Sequence, residues 1–193
     1  MIKKFKPLLI LKLRFIPSAV AITLLSVIIF ATGQQVYRQS ANDPQVQIVQ
    51  NVKDILMQGN PPEALVNENK VDFSKNTSPY IIVYNNTGKV VASAGEVNGQ
   101  VPALPSGVFD AVSKGGDKSF TWQPMKGVRS AVVVSKYTAN GQTGFVLAGR
   151  SLMLVEERIM KLGLMVLVAW FVTLVVTFAS FVVSDKLKKK FMS

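Results

Sequence analysis

The side chains that most often carry out chemistry are sparse in this sequence. It contains no Cys and no His, which excludes a disulfide scaffold, a Cys or His zinc site, a thiol nucleophile and a histidine general base. The common hydrolase, phosphate-loop and zinc-protease motifs do not occur. Ser-Lys pairs occur at Ser74, Ser113 and Ser135, but neighbours along a strand point to opposite faces, so chance explains them better than catalytic dyads. We therefore expect no enzyme, no metal site and no cofactor.

A small-molecule site is the more promising hypothesis, and two predicted strands carry it. On strict alternation Tyr80 and Tyr84 share one face of a strand. Arg129 and Tyr137 share a face of another. Ligand pockets combine aromatic walls with a few polar anchors, and an Arg can clamp a carboxylate through two hydrogen bonds. The predicted ligand-binding residues are Tyr84, Trp122, Arg129 and Tyr137. The alternative is that the two aromatic residues Tyr84 and Trp122 belong to the core or sheet surface and that Arg129 is a solvated strand end.

An α+β domain would position these residues. Short runs rich in β-branched and aromatic residues, bounded by turn residues, predict five strands at Tyr80–Tyr84, Lys89–Ser93, Ser119–Gln123, Val128–Tyr137 and Phe145–Gly149. A short helix is expected at about residues 107–113. A long N-terminal helix, with apolar residues three and four apart, runs up to Gly59 and either starts again or kinks at Asp43-Pro44. This order predicts an α+β fold with a five-stranded antiparallel sheet.

Two apolar stretches flank the domain. Residues 15–32 and 162–183 contain no ionisable side chain. As helices they would be about 27 and 33 Å long, close to the roughly 30 Å hydrocarbon core of a bilayer. Two segments cannot close a barrel, so they would cross a membrane as helices. We predict transmembrane helices at residues 15–33 and 162–183.

The net charge of +11 is concentrated beside these spans. Of the 22 Lys and Arg residues, five precede the first span and four follow the second, where Asp185 is the one acid. The positive-inside rule then predicts a basic cytoplasmic leader at residues 1–14, an extracytoplasmic domain at 34–161 and a basic cytoplasmic tail at 184–193. In a bacterial cell this would be an inner-membrane protein in contact with membrane lipid. We expect no nucleic-acid partner, because the membrane flanks account for most of the basicity.

One alternative for the first span remains open. The basic leader, the apolar run and Ala31-Thr32-Gly33 loosely resemble a signal peptide with its cleavage site. The apolar run is long for a signal peptide, so we favour a retained helix.

The second span carries a pattern that indicates a helical partner. Apolar residues follow alternating three- and four-residue steps at Leu152, Val155, Ile159, Leu162, Val166 and Ala169. Ala169, Thr173 and Thr177 add a row of small residues that would allow close helix approach. Any apolar span matches such a repeat by default, so the residues outside the bilayer matter most. The predicted partner is a second copy, giving a homodimer, or another membrane protein such as a kinase or a transporter.

The whole arrangement resembles the single Cache sensor domains of bacterial membrane receptors. The resemblance covers residues 34–161 and rests on the hairpin YIIVYNNTGKVVASAG at residues 80–95 and the closing segment GFVLAGRSLMLVEERI at residues 144–159. It implies a PAS-like sheet, a small-molecule ligand over one sheet face and a signal carried through the second span. Such receptors continue into an output domain, whereas ten residues follow the span here. We therefore expect either action through a membrane partner or a protein that is not a signalling receptor in the usual sense.

Two functions are therefore expected. The first is a non-enzymatic, two-span membrane protein whose outer domain senses a ligand and signals through its second transmembrane helix. The second is a structural or assembly accessory whose outer domain binds a protein partner without a small ligand. An internal cavity with a convergent Arg would favour sensing, whereas a filled core with an exposed apolar patch would favour the accessory role.

Overall fold

The computed structural model describes residues 5–66 and 70–191, without the side chains of residues 5–14 and Lys189. Residues 1–4 of the predicted leader and 192–193 of the predicted tail lie outside the described residues. The chain divides into two compact units, one formed by the segments up to Val36 and from Arg158 onward, and one by Tyr37–Glu157. In chain order the elements are α1 (Phe5–Gln39), α2 (Asp43–Met57), a 3-10 turn (Pro62–Leu65), β1 (Val71–Asp72), β2 (Tyr80–Asn85), β3 (Val90–Ser93), β4 (Gly95–Glu96), α3 (Ser106–Gly115), β5 (Lys118–Met125), β6 (Val128–Ala139), β7 (Gln142–Ser151) and α4 (Met153–Phe191).

The terminal unit is a pair of antiparallel helices formed by α1 and α4. Both helices are long and apolar enough to cross a membrane. Three contacts follow one another in opposite order along the two helices: Phe15 with Phe178, Thr23 with Trp170, and Gly33 with Leu162. The ring centroids of the first contact are 5.4 Å apart, and in the second the Trp170 indole N–H donates to the Thr23 hydroxyl at 2.9 Å.

The central unit contains the predicted five-stranded antiparallel sheet. The strand order is β3-β2-β7-β6-β5, and every neighbouring pair is antiparallel. The prediction of an α+β fold with this sheet is therefore confirmed. The small second sheet, in which β1 and β4 pair in parallel over two residues each, was not predicted.

Apolar side chains cover both faces of the large sheet. One face, which we call the aromatic face, is covered by α3 and by loop residues and contains the buried residues Phe73, Tyr80, Ile82, Tyr84, Val97, Leu104, Val112, Trp122, Val132, Val134, Phe145 and Leu147. The other, the α2 face, contains Val49, Val52, Leu56, Val83, Ala92, Val133, Val146 and Ala148. Alternation along β2, β6 and β7 separates the two sets, as expected for a sheet buried on both sides.

Helix α2 packs against the large sheet because its apolar residues recur on one side of the helix. Val49, Val52 and Leu56 lie three and four residues apart, and all three are buried. The helix begins at Asp43 with Pro44 in its first turn, after a turn at residues 40–42. Asp43 and Pro44 thus lie in the first turn of a separate helix whose N-cap is Asn42, one residue before the expected start. Gly59, with φ of +87°, follows the last turn, where a residue with a side chain would be strained.

Candidate functional site

The four predicted ligand-binding residues lie in different parts of the central unit. Tyr84 on β2 and Trp122 on β5 are both buried on the aromatic face. Tyr137 on β6 is half-buried and packs on the opposite, α2 face. Arg129, near the start of β6, is paired with Glu156 of α4. The fold therefore brings Tyr84 and Trp122 into one cluster but does not gather all four side chains around one pocket.

The aromatic face is packed with rings that contact one another. Phe73 stacks on Tyr80 with centroids 4.3 Å apart and an interplanar angle of 11°, and it lies 5.8 Å from Trp122. Phe109 of α3 packs 5.1 Å from Tyr84 and 4.9 Å from Phe145. The side chains predicted to wall a ligand pocket thus have protein rings as their neighbours.

Two glycines make room for the Tyr80 ring. A side chain carbon added at Gly149 on β7 or at Gly95 on β4 would collide with that ring. Gly149 is the direct cross-strand neighbour of Tyr80, so the ring lies across β7 where no side chain intervenes. An aromatic ring placed over a cross-strand glycine covers backbone that would otherwise be unpacked.

Three hydroxyl groups on the aromatic face are buried without a hydrogen-bond partner among the described residues: Tyr80, Tyr84 and Ser130. Burial raises the pKa of both tyrosines well above the ordinary value. Ser130 lies close enough to the Tyr80 phenol to lower that pKa slightly against the effect of burial, although no hydrogen bond of normal geometry joins them. Both phenols are therefore neutral at physiological pH.

Tyr137 has a different environment. It lies beside Gly144, its cross-strand neighbour on β7, where an added side chain carbon would lie 2.7 Å from the tyrosine ring. Partial burial raises the pKa of Tyr137, and the nearby Glu63 carboxylate adds to this effect.

A polar cluster lies on the same face as Tyr137. Ser135 donates to Asp117 at 2.5 Å, and Gln50 of α2 donates to the same carboxylate at 3.1 Å. Within the described part of the chain no three acidic side chains come together to hold a metal ion.

The junction between β7 and α4 consists of a single residue, Leu152. Its side chain is buried, and its backbone N–H donates to the Arg129 carbonyl at 2.8 Å. The Arg129 guanidinium also donates to Glu156, in the first turn of α4, at 2.5 Å. Both side chains of this ion pair remain about two-fifths exposed, at 41% and 42%. Strand β6 therefore holds the start of α4 through both its backbone and a side chain that solutes can reach.

Grooves of 310 and 380 Å³ lie between the described parts of the two helices of the terminal unit. Trp170 and Thr23, which are joined by a hydrogen bond, line both of these grooves. Gly163 and Ser26 line the smaller one, and a side chain carbon added at Gly163 would lie 3.3 Å from the Phe30 ring of α1.

A comparison of the chain with protein-family models and with curated protein sequences finds no match. Sequence reasoning identified Arg129 but missed its partner Glu156, which lies 27 residues away. One feature of the sequence could have indicated this pair: Glu156 lies in the first turn of a helix that directly follows a predicted strand.

Proposed function

We propose that this chain is a two-span membrane protein with both termini in the cytoplasm and the central unit outside. Three features support this arrangement. The helix pair is antiparallel, which is the geometry of a chain that crosses a bilayer and returns. Its apolar side chains are largely exposed in both spans, as lipid contact requires. Residues 5–14 of α1 and 184–191 of α4, which have basic sequences, lie at the same end of the antiparallel pair. The positive-inside rule assigns that end to the cytoplasm.

The central unit acts, in this proposal, as a non-enzymatic PAS-like sensor of the single Cache type. The single observation that carries the proposal is the junction at Leu152, where Arg129 holds the first turn of α4 through Glu156. An exposed ion pair of this kind is worth at most about 1 kcal/mol. An anionic ligand that reaches Arg129 would therefore compete with Glu156 and release the start of the helix that continues into the second span.

Ligand binding and release of the junction can be measured on the same full-length protein in detergent. A panel of small carboxylates and amines is tested for a rise in melting temperature, since a ligand at about a hundred times its dissociation constant adds roughly 2.7 kcal/mol. Amide hydrogen exchange is then followed at residues 153–157. We expect a carboxylate to stabilise the protein and to speed exchange at these residues.

Variants of the ion pair make this test specific. Glu156→Gln should show fast exchange at the junction without ligand, and Arg129→Gln should abolish the response to the carboxylate. Lys75→Gln breaks the Lys75–Asp72 pair, which lies elsewhere in the central unit. This control should change neither the exchange at the junction nor the response to the carboxylate. A carboxylate response that survives in Arg129→Gln would contradict the proposed competition.

The filled aromatic face favours a second candidate, an accessory protein whose outer domain binds a protein partner. Phe73, Tyr84 and Trp122 contact other rings, which leaves the face predicted for a ligand occupied by the protein itself. In this case no member of the ligand panel would change the melting temperature or the exchange at the junction. That result would replace the sensor with the accessory role while leaving the two-span arrangement in place.

A further inference from the structure

We propose that the basic end of the helix pair is a docking surface for the headgroups of anionic phospholipids. The inference rests on the proposed membrane crossing and adds a lipid class to it. The basic end comprises residues 5–14 of α1 and residues 184–191 of α4. Together with Lys3 and Lys4, which precede α1, these segments contain nine Lys and Arg residues and one acid, Asp185.

The helix pairing places the two basic segments at the same end of the terminal unit. The Phe15 ring lies 5.4 Å from Phe178 and 6.4 Å from Phe181, so the first apolar residue of the α1 span is beside the last turns of the α4 span. Both helices then continue outward, α1 back to Phe5 and α4 on to Phe191. At 1.5 Å per residue, the positions from Arg14 to Lys6 and from Lys186 to Lys190 lie within roughly 15 Å of this aromatic contact.

The described side chains of the α4 segment have the pattern of a surface in the headgroup layer. Lys186, Lys188 and Lys190 are exposed. Among them, Leu187 and Phe191 are one helical turn apart and expose 50% and 87% of their surface. Apolar residues interleaved with lysines fit a layer in which phosphates meet the ends of acyl chains. A soluble polyanion would satisfy the lysines but would leave Leu187 and Phe191 in water.

The surface therefore matches an anionic lipid in both charge and polarity. Basic clusters directly beside a transmembrane helix attract anionic headgroups, and each Lys or Arg near the surface changes binding about fivefold. The attraction should weaken as salt is added, because it acts between solvent-exposed charges.

Native mass spectrometry of the full-length protein, purified in detergent with equimolar phosphatidylglycerol and phosphatidylcholine, would test the proposal. We expect the protein to retain phosphatidylglycerol at least about fivefold more often than phosphatidylcholine. Lys186→Gln, Lys188→Gln, Lys189→Gln and Lys190→Gln in combination should reduce that ratio at least threefold. The matched control neutralises four exposed lysines of the central unit, Lys89, Lys114, Lys126 and Lys136, and should leave the ratio unchanged.

Several outcomes would overturn the proposal. These are an equal retention of both lipids by the unmodified protein, a ratio that the tail variants do not change, and a ratio that falls equally in the control. Displacement of the lipid by polyphosphate at equal phosphate concentration would assign the surface to soluble polyanions. Because the lipid is counted on purified protein, the result does not depend on membrane orientation, which a separate reporter measurement determines. A wrong topology and a missing lipid preference are thus distinguishable.

Discussion

Gly149 has no side chain at the point where the Tyr80 ring crosses β7. Gly149→Ala would place a methyl group against that ring, and because Tyr80 is stacked on Phe73, the ring cannot move aside freely. We expect a loss of about 1–3 kcal/mol in the free energy of unfolding, as is typical of an overpacked core. Urea unfolding of the full-length protein in detergent, followed by Trp122 fluorescence in a Trp170→Phe background, would measure it.

The matched control for this prediction is Gly107→Ala. An added carbon at Gly107 has no neighbour within 4 Å, and Gly107 lies in α3, where Ala is the better helix former. The control should be neutral or stabilising by up to about 1 kcal/mol. If both variants lost the same free energy, the contact between Tyr80 and Gly149 would not be the cause.

The buried phenols of Tyr80 and Tyr84 predict a loss of stability in alkali. Their pKa values are raised in the folded protein, so the unfolded chain ionises first, at about pH 10. The stabilisation is therefore complete below pH 10 and declines as the pH rises above it. Each tyrosine should cost about 1.4 kcal/mol per pH unit in that range, measured by urea unfolding at pH 9, 10 and 11.

Replacing both phenols isolates their contribution to the loss of stability in alkali. The double variant Tyr80→Phe, Tyr84→Phe keeps the rings, and it removes two hydroxyls that lack a partner among the described residues. We expect stability at pH 7 that is equal to or above that of the unmodified protein, because no hydrogen bond is lost. Its decline between pH 10 and 11 should be shallower. An identical decline in both proteins would mean that other groups control alkaline unfolding.

Among single residues, Arg129 shows the limit of sequence reasoning. Its place near the start of a strand was predictable from alternation, but its partner Glu156 belongs to another element. The separation of Tyr84 from Tyr137 was predictable in part, because alternation assigned each to a face of its own strand. Which faces coincide depends on how the strands pair, and local sequence does not determine that pairing.

At the scale of elements, local patterns predicted the five strands of the large sheet to within three residues at each end. Period-two alternation and charge-free runs are properties of a single segment, so the sequence of that segment is enough to predict a strand or an apolar helix. The two-residue strands β1 and β4 are too short to show a period. The strand order, with β7 between β2 and β6, is a long-range property and could not be read in the same way.

Two residues of the three- and four-residue apolar repeat, Leu162 and Val166, face α1 of the same chain. Leu162 contacts the position of Gly33 on α1, and Val166 lines the groove between the helices. The predicted homodimer is thus not needed to explain these two residues. Ala169 and Thr173, from the predicted row of small residues, are exposed.

Cysteine cross-linking would test the helix pair, and the chain has no native Cys to interfere. A side chain carbon at position 33 would lie 2.6 Å from a Leu162 methyl group. We expect Gly33→Cys with Leu162→Cys to form an intramolecular cross-link with an oxidant or a short bis-thiol reagent, detected as a mobility shift of the monomer. The control, Gly33→Cys with Met165→Cys, uses a residue that is 62% exposed and should react poorly. A cross-linked dimer in the first variant would assign the repeat to a second copy.

At the scale of the whole molecule, charge and helix direction both support the proposed topology. The antiparallel pair requires that the outer ends of α1 and α4 emerge on one side of any membrane that both helices cross. Nine of the 22 Lys and Arg residues flank the spans at these ends, and the positive-inside rule favours the cytoplasm for that side in the proposed topology. The proposed orientation of the central unit rests on both observations together.

Reporter fusions would test this topology in cells. A reporter active only in the cytoplasm should be active after Ser193 and inactive when inserted at Gly99, whereas a reporter active only outside the cytoplasm should show the reverse. Gly99 is a suitable insertion point because it lies in an exposed turn with φ of +80° and an added carbon there has no neighbour within 4 Å. Cytoplasmic activity at Gly99 would overturn the two-span arrangement.

The intact mass of the protein purified from these cells would decide between a retained first span and a cleaved signal peptide. Helix α1 continues through the cleavage-like residues Ala31-Thr32-Gly33 up to Gln39, and Gly33 packs against Leu162. A retained helix therefore keeps contacts that cleavage would remove. We expect the intact mass of the purified protein to include the first 33 residues. A mass that begins at Gln34 would leave α4 as the one anchor, and the basic leader could then take no part in binding lipid headgroups.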